Sequence, residues 1–197
     1  MAAYFAATRC NINPQHSIGD VVDEFNDVTV HYNGGVNHVK DRNLSPDGYN
    51  IGLRYQCVEF VKRYYLQRFG HKMPDSKGHA KDFFDLTLPD GSLNAKRNLV
   101  QFHNGGKTKP AEEDIAVFAP SLLNRYGHVA IIAKVMEDSV AIIQQNLGPF
   151  GTARETYRLL HSEAGTWRVE HERLLGWLRR AASVPLTDSG GEETAPR

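Results

Sequence analysis

The chain has 197 residues, 41% of them hydrophobic, with 23 acidic and 23 basic side chains. That length and balance fit one ordinary globular domain. Lys and Arg are scattered rather than gathered in a stripe, and no apolar run approaches the roughly 20 residues that span a bilayer, so neither nucleic acid nor membrane is an expected partner.

The opening Met-Ala-Ala-Tyr-Phe-Ala-Ala-Thr-Arg has no basic stretch followed by an apolar core. A cytoplasmic location is therefore expected, unless a lysis or secretion system delivers the protein. Residues 1–29, with Cys10, form an unpatterned extension, and the domain is expected over 30–182. Asn43 to Gly52 is too rich in turn residues for a regular element. From Gln56 the character changes: Phe60, Val61, Tyr64, Tyr65 and Phe69 recur at three- and four-residue steps, which predicts a helix to Phe69 stopped by Gly70. Gly105-Gly106-Lys107-Thr108 resembles the end of a phosphate-binding loop, but Gln101 stands where the first glycine is required, so a surface turn is the better reading.

Ile115 to Ala119, His128 to Val135 and Ser139 to Asn146 are dense in Val, Ile and Ala and predict an antiparallel meander. Arg154 to Leu160, Thr166 to Glu170 and Leu174 to Arg179 are weaker strands. After Ala182 the chain is mostly Pro, Thr, Ser, Gly and Glu, a composition that predicts disorder over 183–197.

Two segments carry chemistry. Cys57 falls in the first turn of the predicted helix, where backbone N–H groups lack intrahelical partners and the helix dipole is positive, so a thiolate is favoured there. His128 follows Gly127 at the start of a core strand, which puts its ring at a sheet rim. Thiol, imidazole and a polar group orienting the ring are the parts of a cysteine nucleophile. The other eight histidines show no recurring ligand spacing, and two separated cysteines make no zinc pattern, so no metal or cofactor is expected.

Which residue orients the ring depends on strand parity. A two-residue loop at Glu137 and Asp138 would put Gln144 on the face opposite His128. A three-residue loop centred on Glu137 would put Asn146 across from His128 with Gln144 diagonal to it, and this is the expected arrangement.

These segments resemble the CHAP family, the cysteine, histidine-dependent amidohydrolases and peptidases of the papain-like NlpC/P60 group. Gln56-Cys57-Val58-Glu59-Phe60 resembles the nucleophile helix, Gly127-His128-Val129-Ala130-Ile131-Ile132 the histidine strand, and Gln144-Gln145-Asn146 the strand end that follows. Leu175-Gly176-Trp177, Lys62-Arg63 and Asn104-Gly105 are similar to one branch, the amidase domain of glutathionylspermidine synthetase/amidase.

The resemblance implies an α+β fold with N-terminal helices packed on a central antiparallel sheet. It implies Cys57 as nucleophile, His128 as base, and Gln144 and Asn146 as ring-orienting residues. Gln56 and the Cys57 N–H would hold the oxyanion, and Lys62 and Glu59 would contact substrate. Gln144 departs from the pattern, since the family most often has Glu there. The implied substrate is a peptide amide, a peptide–polyamine conjugate or a peptidoglycan stem peptide; a degenerate domain kept for binding is the rival. Direct proton transfer sets the Cys57 sulfur and a His128 ring nitrogen within about 4 Å of each other.

Overall fold

In the computed structural model, residues 8–121 and 124–181 are described. An eight-stranded antiparallel sheet dominates. In chain order its strands are β5 (Ser92–Asn94), β6 (Leu99–His103), β7 (Ile115–Phe118), β8 (His128–Val135), β9 (Ser139–Ile143), β10 (Arg154–His161), β11 (Trp167–Val169) and β12 (Leu174–Arg179). They lie side by side as β11-β10-β9-β8-β7-β12-β6-β5. The meander β7-β8-β9 is as expected, whereas β12 returns from the end of the chain to fill the place between β6 and β7.

The sheet curls. Gly105 N–H donates to Trp167 O and Trp167 N–H to Gly106 O, both at 2.8 Å, so β11 at one side meets the turn that follows β6. The inner face holds Phe118, Ala130, Ile132, Ile142, Leu159 and Trp177. The outer face, with Ile115, Val117, Val129, Ile131 and Ile143, packs on the helix. β7, β8, β9 and β12 supply both cores because successive side chains point to opposite faces.

One α-helix lies wholly within the described residues: α1, Cys57–Phe69. Its buried side is Phe60, Val61, Tyr64 and Tyr65, the apolar stripe of the sequence. Gly70 ends it at φ 63°, and the N–H groups of Gly70 and His71 close back on Leu66 O and Tyr65 O. Only a residue without Cβ takes that left-handed turn at little cost.

The expected set of N-terminal helices is thus corrected. Ahead of α1 stand two hairpins, β1 (Val21–Phe25) with β2 (Val28–His31) and β3 (Arg42–Leu44) with β4 (Asn50–Leu53). The second occupies the stretch that looked too rich in turn residues. Its Ser45 to Tyr49 are the turn, and only three or four residues on each side pair. The short 3-10 helix Ala80–Phe83 adds to the layer around α1. Val28 and Val30 of β2 are buried in the helix-side core.

The segment 183–197 lies outside the described residues.

Candidate active site

Cys57 is the first residue of α1, 7% exposed, and stands on the floor of a groove of about 1150 Å³. The backbone N–H groups of Val129, Val58 and Cys57 itself lie close enough to its sulfur to favour the charged form. The helix start therefore meets β8 one residue after His128. This is possible because β8 and β9 pair only as far as Ile131 with Ile143. Beyond that pair Gln144 N–H turns to Ala153 O, and the helix start occupies the gap. Burial raises the thiol, and the three N–H groups only partly offset it. The thiol is consequently neutral at neutral pH, in contrast to the thiolate expected from the helix dipole, because loss of water outweighs a few backbone dipoles.

His128 faces the other way along the strand. Its ring lies 5.9 Å from that of Phe118, and its Nε2 is 2.9 Å from Gln144 Oε1. An amide oxygen can only accept, so Nε2 carries the proton and Nδ1 keeps its lone pair. Burial lowers the imidazole to about 4; Gln144 and the charge of Glu155 oppose this, and Arg173 and His171 add to it. Among the described residues no hydrogen bond joins the sulfur to the ring. The two are linked through the strand, the sulfur on the N–H of Val129 and the ring on its neighbour.

The hairpin reaches this arrangement by an unexpected route. Met136 N–H bonds to Ser139 O, so the loop has two residues, Glu137 and Asp138, not three. A bulge between Ile132 and Lys134 then shifts the register by one and returns Gln144 to the face of His128. The bulge leaves no mark in a run of Val, Ile and Ala.

Asn146 goes elsewhere. At φ 71° it leaves the alternation of the strand. Its Nδ2 donates to Gln56 Oε1 at 2.7 Å and Val36 O at 2.9 Å, and its Oδ1 accepts from Asn33 at 2.8 Å. It ties the 33–38 loop to Gln56, the residue before Cys57, while Gln144 alone of the two touches the ring. Gln56 in turn donates from Nε2 to His38 O at 2.6 Å and Val36 O at 3.4 Å, so both amide hydrogens expected at an oxyanion are spent on backbone carbonyls.

Lys62 and Glu59, expected at substrate, lie beneath the groove instead, each 1% exposed. Glu59 pairs with Arg63 at 2.8 Å and also accepts from Asn43 and Gln145. Lys62 Nζ donates to Asn50 O and to Ser76 O. An i, i+4 acid–base pair on a helix normally marks a solvated face, and only the covering hairpin β3–β4 turns this one inward. Gln145, given no role in the sequence reading beyond its place in the matching strand end, bridges the halves of the site: its Oε1 accepts His31 N–H, and its Nε2 donates to Gln56 O and Glu59 Oε2.

No helix among the described residues is long and apolar enough to cross a membrane, and no group of three or more potential metal ligands occurs among them.

A family model described as the CHAP domain matches residues 46–146. Trypanothione synthetase from Crithidia fasciculata is 30% identical over 159 residues, 76% of this chain and 24% of that protein. Glutathionylspermidine synthase from the same organism is 27% identical over 156 residues, 71% of this chain and 21% of that protein. The chain thus spans about a quarter or less of the length of these curated relatives. Among solved structures, the wild-type endolysin LysIME-EF1 covers 73% of this chain and 60% of its own at 18% identity, with a TM-score of 0.38. The matched family segment takes in just over half of the chain, including the helix start with Cys57, the strand with His128 and the strand end with Gln144, and the protein belongs to the CHAP domain family.

Proposed function

We propose that the protein is a cysteine amidohydrolase that cleaves an amide in a peptide or peptide–polyamine conjugate such as glutathionylspermidine. The observation that carries this reading is the junction of α1 with β8. A thiol at a helix start faces a groove and sits on the N–H of Val129, and the preceding residue is an imidazole whose tautomer Gln144 fixes.

The reaction begins from a neutral pair. Nδ1 of His128 takes the thiol proton as the sulfur attacks the amide carbonyl, and the imidazolium then gives that proton to the departing amine. Water, deprotonated by the same nitrogen, releases the acid from the thioester. His128 does not line the groove and no hydrogen bond among the described residues joins its ring to the sulfur, so this reading requires the two to come together in the substrate complex, where catalytic contacts tighten. Backbone N–H groups at the start of α1 supply the oxyanion donors, since the Gln56 amide is engaged with the 36–38 loop. The two relatives named for trypanothione and glutathionylspermidine synthesis support the conjugate as substrate.

The second reading is a domain that binds and does not cleave. It is favoured by Gln144, an amide that cannot stabilise an imidazolium as a carboxylate does, and by the neutral thiol. Purified protein incubated with a glutathione–polyamine conjugate and, separately, with peptidoglycan stem peptides, with released amine followed by mass spectrometry, decides among these. Release from the conjugate supports the proposal. Release from the wall peptide alone moves the substrate to peptidoglycan, and no release from either favours the binding domain.

A further inference from the structure

The face of the sheet that carries the His128 ring also carries a carboxylate. β10 pairs with β9 in the register Arg154 with Ile143 and Glu155 with Ile142, and Gln144 N–H continues that register onto Ala153 O. Side chains alternate along both strands, so Glu155, Tyr157 and Leu159 lie on the inner face with Ile142 and Gln144. Glu155 is therefore diagonal to Gln144, a spacing of about 7–8 Å that long side chains bridge. Tyr157 O–H donates to Glu155 Oε2. The Tyr157 ring packs edge-on against His171 at 5.0 Å, and His171 edge-on against Phe118 at 4.8 Å, the ring that neighbours His128. On the other face of β10, Arg154 pairs with Asp23 and Arg158 with Glu170, whereas Glu155 pairs with no cation among the described residues.

The surroundings of the imidazole follow from these contacts. β7 brings Phe118, β9 Gln144, β10 Glu155 and Tyr157, and the turn ahead of β12 His171 and Arg173. Arg173 and His171 disfavour the imidazolium and Glu155 favours it. His171 takes Arg173 N–H on its Nδ1 at 3.1 Å and is lowered by burial, so it is itself neutral at neutral pH. Gln144 has its oxygen on the ring, and its buried Nε2 has no acceptor. A buried amide hydrogen left without an acceptor costs free energy, and a carboxylate on the diagonal is a group that only accepts.

We propose that Glu155 is a positioning residue for His128: its carboxylate, acting through Gln144, orients the imidazolium and supplies the negative charge that Gln144 lacks. The inference rests on the amidase reading, in which Nδ1 takes the thiol proton and the positive charge appears on the ring. As that charge develops, the bond from Nε2–H to Gln144 Oε1 strengthens, and the polarised amide turns its free Nε2–H toward Glu155. A carboxylate on the next strand thereby does at one remove what a Glu at position 144 would do by contact.

The test compares three full-length proteins, all with Cys10 replaced: the parent, Glu155→Gln, and the transposed pair Gln144→Glu with Glu155→Gln. Alkylation of Cys57 at pH 6 and the limb on which hydrolysis rises with pH are the readouts. Glutamine keeps an acceptor for Tyr157 O–H, so urea midpoints of parent and Glu155→Gln should agree and the charge alone is lost. A carboxylate one residue removed from the ring is weaker than one in contact, so the limb should move down by about 0.5–1 pH unit in Glu155→Gln. Alkylation should slow about three- to tenfold, the same shift read as a ratio. The transposed pair should return both to at least the parent values, which a merely structural loss at position 155 would not allow. Should Glu155→Gln not fold, Glu155→Thr, a residue suited to strands, takes its place with the same expectation. An unchanged alkylation rate and limb, or a loss that the transposed pair does not restore, would overturn the role of Glu155. Alkylation needs no turnover, so the two readings fail separately. Wild type that releases no amine while Glu155→Gln still slows alkylation refutes the amidase and upholds the influence of Glu155 on the ring; amine release with both readouts unchanged in Glu155→Gln removes Glu155 alone.

Discussion

Replacing Gln144 by Glu is the most informative single perturbation, because it changes one atom of a contact whose geometry is fixed. Gln144 Oε1 lies 2.9 Å from His128 Nε2, and its Nε2 is buried without a hydrogen-bond partner, so exchanging that nitrogen for oxygen breaks no bond. A carboxylate in contact favours the charged form of a neighbour by about one to three pH units. His128 would rise from about 4 to between about 5 and 7, equivalent to roughly 1.4–4 kcal/mol in favour of the imidazolium. The residue is 2% exposed, so burial of the new carboxylate consumes part of this gain and favours the lower end.

Two readouts follow. The limb on which hydrolysis rises with pH, as the imidazole loses its proton, should move up by the same one to three units. Alkylation of Cys57 near pH 6 should accelerate, about tenfold for each unit gained, because the imidazolium stabilises the thiolate. Both are measured with Cys10 replaced, since that cysteine is exposed and would dominate the count. An alkylation profile identical to that of the protein with Gln144 would refute the contact between this side chain and the His128 ring.

Three further outcomes are expected. His128 is held neutral, about 4 against an ordinary 6.5, so the unfolded chain takes up a proton that the folded one refuses. Stability should fall by up to about 3 kcal/mol between pH 6.5 and 4 and be flat above that window on this account; urea midpoints of wild type and His128→Gln across this range measure it, and equal slopes would contradict it. Glu59→Ala leaves the Arg63 guanidinium buried beside a lost partner and should cost about 3–5 kcal/mol in urea unfolding; a cost below about 1 kcal/mol, the range of exposed pairs, would mean that the pair is solvated. In Gly52→Ala the new Cβ, at φ 149°, would stand 2.9 Å from the Glu59 Cα, so a loss of about 1–3 kcal/mol is expected in thermal unfolding, and an unchanged midpoint would show that hairpin and helix are not in such close contact.

The parts of the fold that were legible in the sequence are those in which one periodicity runs uninterrupted. Helix α1 and its Gly70 stop are marked by Phe60, Val61, Tyr64 and Tyr65, and β7, β8 and β9 by β-branched runs long enough to exclude a helix. What stayed hidden depends on partners distant in the chain. Nothing in Leu174–Arg179 shows that it lies between β6 and β7, because cross-strand choice is made by packing across the sheet and not by the strand itself. Hairpin β3–β4 was hidden because a five-residue turn joins strands of only three and four residues, and with it went the burial of Lys62 and Glu59, which it contacts.

The placement of Cys57 at the helix start and His128 at the strand rim followed from local signals. That Gln144 and not Asn146 touches the ring did not, because it depends on a one-residue bulge that no residue type announces. The neutral state of the thiol was misjudged for a related reason. The helix dipole is visible in the sequence, but the desolvation that overrides it comes from strands more than seventy residues away.

The central claim is that the Cys57 sulfur becomes covalently acylated by the substrate. Intact-mass and peptide-level mass spectrometry of the protein quenched in acid during turnover of a glutathione–polyamine conjugate tests this directly. The account predicts an adduct of the acyl portion on the peptide containing Cys57, absent in Cys57→Ala, with release of the free polyamine in step. Amine release that persists in Cys57→Ala, or turnover of the wild type with an acyl adduct on any other residue, would contradict it.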